Sequence, residues 1–471
     1  MNPSMKPTHN CGQLNSADKG SCVLLCGWVR SIREHGKITF VDLRDRYGIT
    51  QVTTGDVISK EAFEVAGRLR NEFVIAVEGE VNERPSKNKN PNIPTGEIEV
   101  SARRIHILNE CLELPFPIED KIEAGEELRM KYRYLDLRRV PMLNNLIVKH
   151  KLYQACRNYL SSQGFLEIET PDLTKSTPEG ARDFLVLSRL QPPKFYALPQ
   201  SPQLFKQILM VAGVDKYFQI VRCFRDEDLR GDRQPEFSQL DIELSFVDEE
   251  DIFKLIEGLI KTSFKEVLEV DIETPFLRLT YKEAMEKHKT DKPDLKSEKE
   301  PFKFLWVVDF PLFKYSEEEG RWVSEHHPFT APEEEDIEKI RKSPDKILSR
   351  SFDIVLNGAE IGSGSIRIHN PELQKQIFDI LKISHEEAKE RFGFLLQALE
   401  FGAPPHGGIA LGLDRLLSIV RKTPNIRELI PFPKTQRGIC PLTGAPQIVT
   451  QEQIKDMGWS PFLEVNKKNP K

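Results

Sequence analysis

The chain has 471 residues, of which 30% are charged and 39% hydrophobic, with a formal net charge of −6. It is long enough for more than one domain and balanced like a soluble globular protein, and its near-neutral charge excludes nucleic-acid binding through a bulk positive field. Seven scattered cysteines without a Cys-x-x-Cys pair, no leader-like apolar segment after Met1, and no apolar run of the ~18 residues that a bilayer requires argue for reduced thiols, no structural zinc, no membrane span and a cytoplasmic location.

Residues 20–107 read as five short strands (Cys22–Val29, Lys37–Leu43, Ile49–Thr53, Glu72–Val81, Gly96–Ile107) with a helical interruption at Lys60–Leu69. That pattern fits a small Greek-key barrel of the oligonucleotide-binding (OB) type, or another small β-barrel. Arg30, Arg33, His35 and Lys37 beside Phe40 suggest a phosphate-binding and stacking face, although a strand aromatic is more often core. Residues 108–140, with Pro115, Pro117 and many charges, read as a connector. A helical pattern then runs from Leu143 to Gly164, followed by a strand ending at Pro171 and a Pro/Gly loop at Lys175–Asp183.

Gln200–Gly213 opens with Ser201 as N-cap and Pro202 at the first helical position, and Gly213 closes it. Its apolar stripe (Leu204, Phe205, Ile208, Leu209, Ala212) leaves Gln203 and Lys206 together on a polar face. Tyr217–Phe246 reads as a β-hairpin. Leu240, Ile242, Leu244 and Phe246 alternate with Asp241, Glu243 and Ser245 in its return strand, so one face is core and the other acidic. The outgoing strand delivers Arg225, and the loop between holds Arg230 and Arg233, a surface suited to a ligand with phosphate and ammonium groups. An ion-paired solvent face is the alternative for such a hairpin in isolation.

Further on, Glu325-His326-His327 lacks metal spacing and reads as pocket wall or packing. Around the Asn357-Gly358 turn, Phe352–His369 forms a hairpin in which Val355 opposes Glu360. Asp353 and Glu360 then become diagonal neighbours able to share Mg²⁺ held on triphosphate oxygens. Arg367 reaches that face only if Gly362-Ser363-Gly364 bulges the strand. Finally Gly407–Val420 is a glycine-flanked apolar strand turning into a helix with the buried stripe Leu413, Leu416, Leu417 and Val420, which leaves Arg415 opposite that stripe, able to hold a polyphosphate or, unpaired, only a surface arginine.

In order and content, Gly164–Pro171, Phe224-Arg225-Asp226-Glu227 and Gly407–Val420 resemble the three motifs of class II aminoacyl-tRNA synthetases. The run Gln200–Gln207 resembles their aspartate-specific branch, and the likeness covers nearly the whole chain. It implies an α+β catalytic domain on an antiparallel sheet (class II synthetase fold) at 141–471, an OB-fold anticodon domain at 1–107 and a connector at 108–140. It further implies ATP-dependent charging of tRNA(Asp) with L-aspartate through an aspartyl-adenylate, with Mg²⁺, by a homodimer joined through the 143–171 segment.

The same resemblance assigns catalysis to Arg225, Glu360 and Arg415, and ATP binding to these with Asp226, Glu227 and Gln234. Aspartate would meet Glu179, Ser201, Gln203, Lys206, Asp241, His326 and Arg367, with Lys206 and Arg367 on its side chain. The anticodon would meet Arg33, His35, Phe40, Gln51, Asn88 and Glu99. His35 resembles forms that also charge tRNA(Asn), and the domain usually inserted after Asp291–Leu295 is missing, because Lys296–Lys303 leads directly to Phe304–Asp309. An asparagine-specific relative or a catalytically inert RNA-binding paralogue are the rival readings. The first usually lacks the Lys206 equivalent, and the second has no need of Arg225, Asp353, Glu360 and Arg415.

Overall fold

The computed structural model describes residues 5–177, 180–334, 336–423 and 425–457, arranged in two units, Met1–Ala124 and Gly125–Lys471. The stretch expected as a connector is shared between them: 108–124 belongs to the first unit, and the second opens with two short helices.

In the first unit, β1 (Cys22–His35), β2 (Ile38–Arg44), β3 (Ile49–Gly55), β4 (Val74–Glu83) and β5 (Ile98–Asn109) close a barrel in the order β1-β2-β3-β5-β4, with α1 (Lys60–Ala66) between β3 and β4. Period-two alternation builds it: Val41 and Leu43 of β2 point inward with Leu25, Val52, Val77 and Val100, while Phe40 and Asp42 face out. The expected strands are present, and β1 runs six residues further, to His35.

The second unit begins with α2 (Glu126–Lys131), α3 (Arg133–Asp136) and the long α4 (Val140–Ser162). There follow β6 (Leu166–Glu167), β7 (Leu185–Leu187), β8 (Phe195–Ala197), α5 (Gln203–Val211), β9 (Lys216–Phe224), β10 (Glu236–Ser245) and α6 (Glu249–Leu268). Next come β11 (Leu277–Thr280), α7 (Tyr281–His288), β12 (Phe304–Val308), β13 (Phe313–Ser316), β14 (Arg321–Ser324), α8 (Ile337–Lys342), β15 (Ser351–Leu356), β16 (Ala359–Ile366), α9 (Pro371–Ile380), α10 (His385–Leu399), β17 (His406–Gly412) and α11 (Leu413–Arg421).

Eight strands form one sheet in the order β11-β12-β15-β16-β17-β10-β9-β6, antiparallel except for its two outermost pairs. Leu240 and Ile242 of β10, Ile409 and Leu411 of β17 and Ile354 of β15 pack with α4 and α6 in the main core. The other face of the same strands is polar. Two details differ from expectation. Phe246 leaves the strand with φ +60° and is 76% exposed, because β10 ends at Ser245 and the chain turns into the Asp248 cap of α6. Helix α5 starts one residue later than expected: Pro202 takes the cap position, while Ser201 Oγ still accepts the Gln203 N–H at 3.3 Å.

Candidate active site

Asp241 and Glu243 stand on the polar face of β10, where alternation puts them, and both are buried. Glu243 is the hub. Arg367 donates to both its oxygens, at 2.9 and 3.1 Å, and Lys206 Nζ lies 3.2 Å from Oε2 and 2.6 Å from Asp241 Oδ1. Gly408 faces Glu243 across the β10/β17 pair, and a Cβ there would come within 2.0 Å of Glu243 Oε2, so only glycine leaves room for this carboxylate. Burial alone would raise the Glu243 pKa; Arg367 and Lys206 outweigh it and hold it down at about 2. Asp241 moves the other way, raised first by burial and further by Glu243, against the pull of Lys206.

These groups open into a cavity of about 720 Å³. Lys206 Nζ is the close partner of Asp241 Oδ1, and Gln203 Nε2 is buried in the cavity wall without a hydrogen-bond partner, so a ligand's ammonium and carbonyl groups would find acceptor and donor capacity left here. Ser201 lines the same end. His327 accepts from Arg367 at 2.6 Å, and burial followed by Arg367 pushes its pKa well below the ordinary value, so it stays neutral.

Arg367 arrives here through a bulge. Val355 opposes Glu360 as the turn predicts, but Ile354 pairs with Gly362, so Ile361 is the extra residue. The sequence places the bulge at Gly362–Gly364; the structure puts it one position earlier. A Cβ on Gly362 would lie 2.4 Å from Leu411 Cδ2, and one on Gly364 2.5 Å from Phe352 Cε2, so these glycines serve close packing in regular pairs. The extra residue returns Ser363, Ser365 and Arg367 to the face that carries Asp353 and Glu360.

At the other end of the cavity Arg225 stacks over Phe237, 5.1 Å from its ring centre. Arg415 donates to the Glu360 carbonyl at 2.9 Å and pairs with Asp232 at 3.4 Å, and Lys292 binds the Glu360 carboxylate at 2.8 Å. Glu227, paired with Arg233 at 3.2 Å, and Gln234, tied to both backbone polar groups of Lys434, also line the cavity. Asp226 is turned to a backbone bridge with Arg182 and is not in the wall. Asp353 sits behind His326, which contacts it at 3.3 Å and Ser351 Oγ at 3.2 Å. Burial lowers the His326 pKa, but Asp353 more than reverses this and raises it. Glu179 lies outside the described residues.

In the barrel, Arg33 forms a fork with Asp42 at 2.9 and 3.0 Å and reaches Gln51 at 3.2 Å, and Gln51 donates to Glu99 at 2.8 Å. Phe40, half-buried, is the cross-strand partner of Arg33. His35 is exposed at the end of β1, and Asn88 is exposed in the 3₁₀ turn Ser86–Asn88 that follows β4. The outer face therefore carries an aromatic beside a satisfied polar chain. His327 lines the cavity, one of the two readings its sequence offered, and the residues left without a role are Glu243, Lys292 and Asp414. The last pairs with Lys149 at 2.5 Å and accepts the Ser238 N–H at 3.0 Å. Alternation with Asp241 was the available signal for Glu243; Lys292 had none.

An antiparallel sheet with arginines at one end of a deep polar cavity and a paired-cation pocket at the other, preceded by a five-stranded barrel, defines an architecture that sequence comparison can name. The pattern of tRNA synthetases class II (D, K and N) matches residues 125–436, and that of the OB-fold nucleic acid binding domain matches 23–108. The chain belongs to the class II tRNA synthetase family. It is 45% identical to an "Aspartate--tRNA(Asp/Asn) ligase" of Caldanaerobacter subterraneus, with 96% of this chain and 98% of that protein covered. A protein of the same name from Persephonella marina is 44% identical, with 98% of each covered. Those alignments run over 579 and 595 positions against 471 residues here, so the relatives carry residues without a counterpart in this chain. Among solved structures, asparaginyl-tRNA synthetase from Pyrococcus horikoshii complexed with asparaginyl-adenylate superposes with a TM-score of 0.75 at 25% identity, covering 92% of this chain and 99% of that one.

Proposed function

We infer that this protein activates L-aspartate with ATP and transfers it to tRNA(Asp), with tRNA(Asn) as a second acceptor in keeping with the names of its relatives. The observation that carries the reading is the buried pair Lys206 and Arg367 converging on Glu243 beside an open cavity. A second carboxylate entering between these cations offers two charged acceptors to donors already desolvated, whereas the amide of asparagine would turn an NH2 donor toward them. Asp241, which Lys206 meets at one oxygen only, is placed to take the α-ammonium together with Gln203 and Ser201.

The aspartate α-carboxylate attacks the α-phosphorus of ATP, forming a mixed anhydride and releasing pyrophosphate; the terminal ribose hydroxyl of tRNA then attacks the anhydride carbonyl and releases AMP. No side-chain nucleophile is involved. Arg225, held over Phe237, and Arg415, anchored on the Glu360 carbonyl, supply fixed positive charge where charge develops on the phosphates.

Glu360, in the cavity wall, and Asp353, behind His326, are the carboxylates that would hold a hard divalent cation. They share one face, and after burial and the opposing pull of His326, Glu360 contributes to raising the Asp353 pKa, a repulsion that a cation between them would relieve. Among the described residues no three acidic, His or Cys groups gather as a complete metal cage, which suits Mg²⁺ completing its shell with phosphate oxygens and water. Bound there, Mg²⁺ would neutralise phosphate charge.

The outer barrel face around Arg33, Phe40, Gln51 and Glu99, with His35 and Asn88, would take the anticodon through stacking and base-edge contacts. Exposed Val140, Leu166 and Leu173 on and just after α4 suit burial in a homodimer. Among the described residues no helix is long and apolar enough to cross a membrane, and we place the enzyme with its tRNA in the cytoplasm. Aspartate-dependent ATP/pyrophosphate exchange tests the assignment: exchange with aspartate and not asparagine, abolished in Lys206→Ala, is expected, and exchange with asparagine alone would overturn it.

A further inference from the structure

Lys292 is a cavity-wall cation to which neither the motifs nor the mechanism above gives a role. It lies in the segment that leads from α7 to β12, and the middle and the β12 end of that segment are fastened to the Asn357-Gly358 turn. Lys303 N–H donates to Asn357 Oδ1 at 2.9 Å and Asn357 Nδ2 to the Pro301 carbonyl at 2.7 Å. Asp294 packs over Gly358, where an added Cβ would be only 3.2 Å from Asp294 Cβ. The Lys292 N–H is itself tied to Thr290 Oγ1 at 3.1 Å.

The ammonium group is thus presented to Glu360, whose backbone carbonyl already anchors Arg415. The Lys292 side chain is 38% exposed. A half-solvated pair of this kind contributes little to folding, so stability does not account for pinning a lysine here. Lys206 and Arg367 occupy the opposite, fully buried end. Sharing Glu360 with Arg415, Lys292 therefore belongs at the end that would receive the triphosphate, where a compact ammonium can exchange a carboxylate oxygen for a phosphoryl oxygen at little cost.

We propose that Lys292 is a further phosphate-binding residue of this site, gripping β- and γ-phosphoryl oxygens of ATP and then the departing pyrophosphate. The proposal rests on the reading of the cavity as an adenylate-forming site. It is tested with wild type, Lys292→Ala and Lys292→Arg by calorimetric titration with pyrophosphate and with AMP, in the absence of divalent metal, and by aspartate-dependent exchange.

In Lys292→Ala, pyrophosphate binding weakens and the KM for ATP rises, each about tenfold, with AMP binding and the KM for aspartate within about twofold of wild type; Lys292→Arg restores most of the loss. Pyrophosphate binding unchanged in Lys292→Ala would overturn the proposal, as would an equal loss of AMP and aspartate binding, which would mark Lys292 as structural. A wild type without aspartate-dependent exchange would instead count against the functional reading, and the pyrophosphate titration would still decide Lys292.

Discussion

Glu243 decides what the aspartate end of the cavity can do. It holds two cations that would otherwise repel each other, and it does so as a carboxylate: an isosteric amide offers one acceptor oxygen and no charge. Glu243→Gln is expected to raise the KM for aspartate at least a hundredfold and to lower the thermal midpoint by several degrees, read by exchange kinetics and calorimetry. Its pH signature follows from the sign of the shift. The folded-state value of about 2 lies below the ordinary 4.5, so this carboxylate contributes stability that is complete above pH 4.5 and lost as pH falls toward 2. Denaturant titrations should show the advantage of wild type over Glu243→Gln, a few kcal/mol at neutral pH, shrinking across that window. Gly408→Ala tests the same residue from the other side: the added methyl would displace the carboxylate and press on the Ile242 carbonyl, so aspartate binding and thermal midpoint should fall together.

At the scale of elements the bulge in β16 matters most. One extra residue, Ile361, separates a hairpin whose polar face stays in register from one whose last five positions would turn over. Deleting Ile361 would send Ser363, Ser365 and Arg367 toward the core and Gly362 and Gly364 toward the cavity. Loss of soluble, cooperatively folding protein is expected, checked by circular dichroism and thermal melting. Helix α11 shows the complementary case: Leu413, Leu416 and Leu417 bury against the main core as the 3.6-residue period requires, and Arg415 is thereby left toward the cavity with no special device.

Over the whole molecule, the barrel and the second unit each own a core: Leu25, Val52, Ile75 and Val100 pack in one, and Leu240, Ile354, Trp306 and Phe352 in the other. A fragment spanning residues 1–124 is therefore expected to unfold cooperatively on its own, and 125–471 to retain aspartate-dependent exchange while losing most tRNA charging. Exchange lost together with charging would show that the second unit does not fold alone.

Period-two and 3.6-residue patterns, a capped helix and a two-residue turn were enough to predict the barrel strands, the acidic face of β10, the helix bearing Lys206 and the Val355–Glu360 register, because these depend on neighbours a few residues apart. What Glu243 binds, why Lys292 faces the cavity and how Gly362 packs against Leu411 beside the extra residue of β16 depend on partners tens to more than a hundred residues away. Burial and the packing of glycines against a neighbouring strand settle those points, and neither exists until the sheet has closed around the cavity.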